Sequence, residues 1–274
     1  MQLGFWAIIQ KNVKGQRNNS DFQVVLDDGG RLSRRKTELL SDGAYLFQDD
    51  LEIAGLLTST VIMCAAWLLE LYELKSGELF FIRGQEHVHA TTKRFGVFYP
   101  PFSIAQPCFK IAKARLIGIA ATAALPAKLA TAPTIFEASI IEPPFSAVNA
   151  IEILKAGQNH QPIDKNPNPS LLSLKAKRLI DENYLVYPSI ARIANRLNVT
   201  HEHLSRQFKR DFGMSPSEYF RHLRVADAPL RLARGEEIID VSHGVGYNDL
   251  SRFYKQFRKT THTAPGKCKS ILRK

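Results

Sequence analysis

Near the end of the chain one short pattern occurs twice. Arg206-Gln207-Phe208-Lys209-Arg210 and Lys255-Gln256-Phe257-Arg258-Lys259 share the order basic-Gln-Phe-basic-basic, 49 residues apart. The correspondence extends outward: Leu204 matches Phe253, Pro216 matches Pro265, and the upstream set Ile193, Ala194, Leu197 matches Val241, Ser242, Val245. Each copy reads as two short helices joined by a tight turn. The second turn is one residue longer, because Ala194 to Phe208 is 14 positions and Ser242 to Phe257 is 15. Such a duplicated helix-turn-helix, set in a basic segment, is suited to reading DNA in two places.

The charge supports that reading. Residues 171 to 274 hold 20 Lys+Arg against 10 Asp+Glu, so this third carries +10 of the formal net charge of +11, while residues 1 to 170 are nearly balanced at 17 against 16. A cationic excess confined to one region fits a polyanion, since each neutralised phosphate releases condensed counterions.

Local signals divide the basic region into seven helices. Ser170 caps a helix through Asn183, and Pro188 or Ser189 starts a second that ends near Leu197. Thr200 caps a third through Phe212, with Gly213 as its stop. Ser215-Pro216 opens a long fourth through about Arg234, which Gly235 ends. The fifth spans roughly Glu237 to Gly244, the sixth Asn248 to Thr260, and the seventh begins at Pro265. In the third helix Leu204 and Phe208 share one face, leaving Glu202, Ser205, Arg206 and Lys209 opposite, with Arg210 beside them near the exit. In the sixth, Phe253 and Phe257 face inward and Ser251, Arg252, Lys255 and Arg258 are left free. In a major groove the early exposed residues of such a helix meet base edges, and the later basic ones meet phosphates.

The stretch Ile239-Asp240-Val241-Ser242-His243-Gly244-Val245-Gly246-Tyr247-Asn248-Asp249-Leu250-Ser251-Arg252-Phe253-Tyr254-Lys255-Gln256-Phe257-Arg258-Lys259, followed by Thr263-Ala264-Pro265, closely resembles the AraC/XylS family of bacterial transcription regulators. The DNA-binding portion of that family is two helix-turn-helix units joined by one helix. The resemblance covers about residues 170 to 272, and it implies base readers at Glu202, Ser205, Arg206, Leu250, Ser251, Tyr254 and Lys255. Four positions depart from the pattern. Ser242 replaces a small apolar residue, His262 stands where the first copy has Gly213, and Cys268 stands where it has Tyr219. Pro229 falls inside the fourth helix, where its missing N–H predicts a kink or a split.

Residues 1 to about 156 read as a strand-rich domain. Leu71–Leu74, Lys75-Ser76-Gly77 and Glu78–Arg83 suggest strand, turn and strand. Residues 94 to 99 form an aromatic strand stopped by Pro100-Pro101, 116 to 121 form another strand, and 147 to 156 have helical spacing. The polar segment 157 to 169, with three prolines, reads as the linker. Ile53 to Leu69 is uncharged for 17 residues, the length of a minimal membrane span, but its Val/Ile/Thr content also suits a buried strand followed by a helix or second strand. We expect no membrane segment.

The family often carries a cupin-like sensing domain, and His87 and His89 alternate along a predicted strand as cupin metal ligands do. No Glu follows at the expected spacing and no second ligand box is recognisable, so a polar strand face is the expectation and no metal or other cofactor is assigned. The run Phe95, Phe98, Tyr99, Phe102 suits an effector pocket or, better, plain core packing. Cys108 after Pro107 is similar to the alkyl-accepting cysteine of DNA-repair regulators, a chemistry that uses four cysteines around zinc. This chain has three, at wide spacings, which we read as reduced thiols in a cytoplasm.

The expectation is thus an α+β chain. A domain at 1–156 senses an effector or dimerises, 157–169 links, and an all-α seven-helix domain at 170–274 reads promoter DNA. No catalytic residues are assigned. The resemblance implies a small-molecule effector, a homodimer and RNA polymerase as partners, and favours activation over repression. The alternative is a cupin-type metal enzyme with an appended DNA-binding domain.

Overall fold

The computed structural model describes residues 7–8, 14–18, 21–25, 31–58, 60–126, 132–138, 145–186, 189–261 and 263–272, with side chains from residue 38 to residue 270. Strands come first: β1 (Ala7–Ile8), β2 (Lys14–Asn18), β3 (Asp21–Val25), β4 (Arg31–Leu39), β5 (Tyr45–Glu52), β6 (Leu56–Thr58), β7 (Thr60–Ile62), β8 (Trp67–Arg83), β9 (Glu86–His89), β10 (Arg94–Tyr99), β11 (Ile104–Ala105), β12 (Pro107–Ala121) and β13 (Thr134–Glu137). Helix α1 (Ala147–Ala156) and β14 (Gln158–Pro162) follow. Seven helices complete the described chain: α2 (Leu171–Asn183), α3 (Ile190–Arg196), α4 (His201–Phe212), α5 (Pro216–Ala233), α6 (Ile238–Gly244), α7 (Leu250–Thr261) and α8 (Pro265–Leu272). The expected strand-rich half and all-α half are both present.

Eleven strands form one antiparallel sheet along the path β14-β13-β10-β8-β12-β5-β4-β3-β2, with β6 on β12 and β9 on β8. A second sheet joins β1, β7 and β11. Alternation explains why β8 and β12 are apolar on consecutive residues. Trp67, Leu69 and Leu71 pack with Ile117, Ile119 and the α1 residues Ala147, Ala150 and Leu154. Their neighbours Leu68 and Tyr72 point the other way, into a cluster with Tyr45, Phe47, Val97, Tyr99 and Leu116. Both faces are therefore covered at the middle of the sheet. The segment Ile53 to Leu69 supplies β6, β7 and the start of β8, and no helix among the described residues is long and apolar enough to cross a membrane.

The expected turn at Lys75-Ser76-Gly77 is not a turn. β8 runs through it as one 17-residue strand, and the register to β12 shifts between Lys110 and Lys113. Gly77 has φ +84°, and a Cβ there would lie 2.1 Å from the carbonyl oxygen of Ile111. Glycine here serves a bulge that brings two backbones together, so pairing with β12 overrides the local turn signal.

Within the segment expected to link the halves, β14 pairs with β13 and Ile163 is fully buried. The helical half rests directly on the sheets. Ile62 and Ile104 share a buried cluster with Ala176, Ile180 and Tyr219. Lys177 Nζ donates to the carbonyl of Phe102 at 2.5 Å and to Asp181 at 2.6 Å, and Tyr219 donates to Asp181 at 2.7 Å.

The helix starts follow their local chemistry. Ser170 Oγ accepts from the N–H of Ser173, and Ser215 with Glu218 forms a reciprocal capping box ahead of Pro216. α5 runs unbroken from Pro216 to Ala233, so Pro229, which is buried, does not split it. His262, the departure at the position matching Gly213, lies outside the described residues.

Candidate nucleic-acid interface

The two repeats build the same device. α3 and α4 are separated by four residues, 197 to 200, and α6 and α7 by five, 245 to 249, which is the extra residue the spacing predicts. Each turn contains one residue with positive φ, Asn198 at 53° and Gly246 at 85°. Asn is among the few side chains that tolerate this region. Each second helix is then capped by a side chain. Thr200 Oγ1 accepts from the N–H of His203 at 3.2 Å, and Asp249 Oδ1 accepts from the N–H of Arg252 at 3.1 Å.

Both helices are held by aromatic anchors. Leu204 and Phe208 of α4 are fully buried, with the Phe208 ring 4.7 Å from that of Phe212 and 5.8 Å from that of Tyr219. Phe253 and Phe257 of α7 are fully buried, 5.5 Å apart, with Tyr247 5.7 Å from Phe253. This anchoring turns the opposite faces to solvent. Glu202, Arg206, Lys209 and Arg210 are exposed on α4, with Ser205 half-buried. Leu250, Ser251, Arg252, Lys255 and Arg258 are exposed on α7, with Tyr254 half-buried.

The cations differ in their partners. Arg206, Lys209, Lys255 and Arg258 make no ion pair among the described residues, so their charge faces solvent uncompensated. Arg210 donates to Gln207 at 2.8 Å and lies 3.8 Å from Asp211, and Arg252 lies 3.8 Å from Asp249. Exposed pairs of this kind are worth at most about 1 kcal/mol, which phosphate can displace. His201 and His203 are exposed at the start of α4.

Asp211, at the exit of α4, was not legible as a structural centre. Ser170 donates to its Oδ2 through both its hydroxyl (2.6 Å) and its backbone N–H (3.0 Å), and Gln207 donates at 3.0 Å. Asn166 donates to its carbonyl at 3.0 Å. Burial pushes this carboxyl up, but the donors from Ser170, Ser173 and Gln207 outweigh it and hold the pKa at about 2. The end of one reading helix is thereby tied to the segment entering the helical half. Partners 41 residues apart leave no sequence signature.

Two departures from the repeat have physical readouts. Ser242 is fully buried and its Oγ has no hydrogen-bond partner among the described residues. Cys268 is buried at the position matching Tyr219, and none of the three cysteines is in a disulfide.

Elsewhere the candidates do not converge. His87 and His89 are exposed and flank the ring of Phe80 at 4.9 and 5.3 Å. Among the described residues no group of three or more His, Cys, Asp or Glu is placed to hold a metal ion. Phe95, Phe98 and Tyr99 are buried in the packed sheet, and of that run only Phe102 reaches the crevice between the halves.

A family model described as a helix-turn-helix domain matches residues 193–270. The chain is 36% identical over 81 residues to the lactose operon transcription activator of Staphylococcus xylosus, a match covering 29% of each chain. It is 32% identical over 87 residues to the HTH-type transcriptional activator RhaS of Pectobacterium carotovorum, covering 31% of each. The chain thus matches less than a third of the length of these relatives. Among solved structures, a probable AraC family transcriptional regulator from Rhodopseudomonas palustris aligns over 38% of this chain and 100% of that one, with 17% identity and a TM-score of 0.36. Two anchored helix-turn-helix units in the matched segment, and its similarity to these two activators, make residues 193–270 an AraC-type helix-turn-helix domain.

Proposed function

We propose that the chain is a sequence-specific transcription regulator that inserts α4 and α7 into major-groove segments of promoter DNA about one helical turn, roughly 34 Å, apart. The observation that carries this reading is the pair of matching helices, each anchored by two buried side chains and each presenting unpaired cations to solvent. Glu202, Ser205 and Arg206 on α4, and Leu250, Ser251, Tyr254 and Lys255 on α7, are the base readers. Lys209, Arg210, Arg252 and Arg258 hold phosphates. The +10 charge of residues 171 to 274 supplies attraction independent of sequence.

The named activators among the relatives support activation, with RNA polymerase as partner. Residues 1–156 form the sensing or dimerising half, 157–169 the connector and 170–274 the reading half of a cytoplasmic protein. An effector site is supported by a crevice of about 630 Å³ whose walls come from both halves, among them Phe102, Ile104, Lys165, Lys177 and Phe212. A small molecule there would bias how the halves pack. A cupin-type metal enzyme has no comparable support, because His87 and His89 both lie against Phe80.

The test separates reading from holding on one helix. Arg206→Ala costs about 1 to 3 kcal/mol on the preferred site and flattens preference at one or two adjacent base positions. Lys209→Ala weakens all sequences alike and lowers the salt slope by about one. Binding to single-base operator variants at two salt concentrations distinguishes them. A uniform loss with Arg206→Ala, with base preference intact, removes α4 from the groove.

A further inference from the structure

Arg224, in the middle of α5, belongs to neither reading helix, yet its guanidinium touches the end of α2, which packs on the first unit, and the turn of the second. Nε donates to the carbonyl oxygen of Tyr184 at 2.7 Å, one residue beyond α2. Nη1 donates to the carbonyl oxygen of Gly246 at 3.0 Å, inside the turn between α6 and α7. Its Cζ lies over the Phe220 ring, 4.3 Å from the centroid, and 5.9 Å from the centroid of the Tyr247 ring. A Cβ on Gly246 would stand 2.9 Å from Arg224 Cζ, so the turn of the second unit is seated directly against the guanidinium.

The connections on either side make this placement consequential. α2 packs against α4, so the Tyr184 carbonyl belongs to the frame of the first reading helix. Gly246 lies four residues before α7 begins, so its carbonyl belongs to the frame of the second. A planar fork with separate donors can hold two carbonyls at once, whereas an ammonium is a point donor on a flexible stem. Stacking on Phe220 fixes the plane of the fork.

From this geometry we infer that Arg224 is a positioning residue that sets the separation and relative orientation of α4 and α7, and hence the half-site spacing the protein selects, without contacting DNA itself. The inference rests on the two-headed reading above. A role confined to stability makes a different prediction: loss of Arg224 then lowers affinity for every arrangement of half-sites equally.

The experiment uses the full chain and duplexes in which the two selected half-sites are moved apart or together in single base-pair steps around a centre-to-centre distance of about 10 base pairs. The wild type loses about tenfold or more in affinity when the spacing is off by two base pairs, because both heads can no longer engage together. With Arg224→Lys that contrast shrinks to about twofold, while affinity for an isolated half-site stays within about twofold of wild type. An unchanged spacing contrast, or a half-site affinity that falls as far as the bipartite one, overturns the inference. A wild type with no spacing preference at all overturns the two-headed reading as well, and that outcome is recognisable without the variant. A second measurement needs no DNA: the distance distribution between spin labels on α4 and α7 is narrow in wild type and broad in Arg224→Lys. Equal widths overturn the inference.

Discussion

Replacing Asp211 should loosen the exit of α4, and the size of the effect can be worked out from its partners. An acid in the last turn of a helix faces the negative end of the macrodipole and is disfavoured there. Here three donors reverse that preference, at 2.6, 3.0 and 3.0 Å, and the side chain is only 9% exposed. A hydrogen bond to a charged group contributes about 1.5 to 3 kcal/mol, but the three do not add. In Asp211→Asn the Ser170 hydroxyl can still reach Ser173 Oγ at 3.1 Å. The carboxyl falls from its ordinary 3.8 to about 2. That drop corresponds to at most about 2 kcal/mol, less after solvent screening. We therefore expect Asp211→Asn to cost about 1 to 2 kcal/mol at pH 7. The sign of the pH dependence follows from the depressed folded-state value. The contribution is fully present above about pH 4 and is lost as pH falls from there through about 2, so the gap between wild type and variant narrows over that window. Urea midpoints followed by far-ultraviolet circular dichroism at pH 7, 5, 4 and 3 measure it. Equal midpoints at pH 7, or a gap that stays constant down to pH 3, would refute the reasoning.

Ser242→Ala should stabilise the protein by about 1 kcal/mol, since it deletes a fully buried hydroxyl that has no partner among the described residues; a lower urea midpoint in the variant contradicts this. Glu70 is buried inside the sheet-lined core, where burial pushes its carboxyl up to about 8 despite the Tyr72 hydroxyl donating at 2.8 Å. A raised folded-state value makes stability fall as pH rises from about 4.5 to about 8, by at most about 1.4 kcal/mol per unit, and Glu70→Gln should remove that slope. Thermal unfolding of both proteins at pH 5 and pH 8 checks it, and parallel slopes count against it.

What could be read from the sequence was what is local. Ser170, Thr200 and Ser215-Pro216 cap helices through their own next three residues, so the starts of α2, α4 and α5 were legible within one residue. The repeat likewise disclosed the longer second turn and the anchors Phe208 and Phe257, because helical spacing alone puts them on one face. What depends on distant partners was not legible. Lys75-Ser76-Gly77 has turn chemistry, yet 17 residues of β8 stay extended because β12 pairs along them across a bulge. Gln158–Pro162 is exposed throughout, has no apolar alternation, and becomes a strand because β13 lies alongside. Pro229 should interrupt a helix on local grounds, but α5 is buried along much of its length and continues. Arg224 falls outside the repeated motif, and nothing in the sequence marks its reach to Tyr184 and Gly246.

The central claim is that the two units read two DNA segments as one rigid pair, and selection of bound duplexes from a random pool with the full chain tests it most directly. The account predicts a bipartite motif with half-sites centred about 10 base pairs apart, which loses its first half when Arg206 is replaced and its second when Lys255 is replaced. A single uninterrupted motif, or recovery of no sequence above bulk genomic DNA, would contradict it.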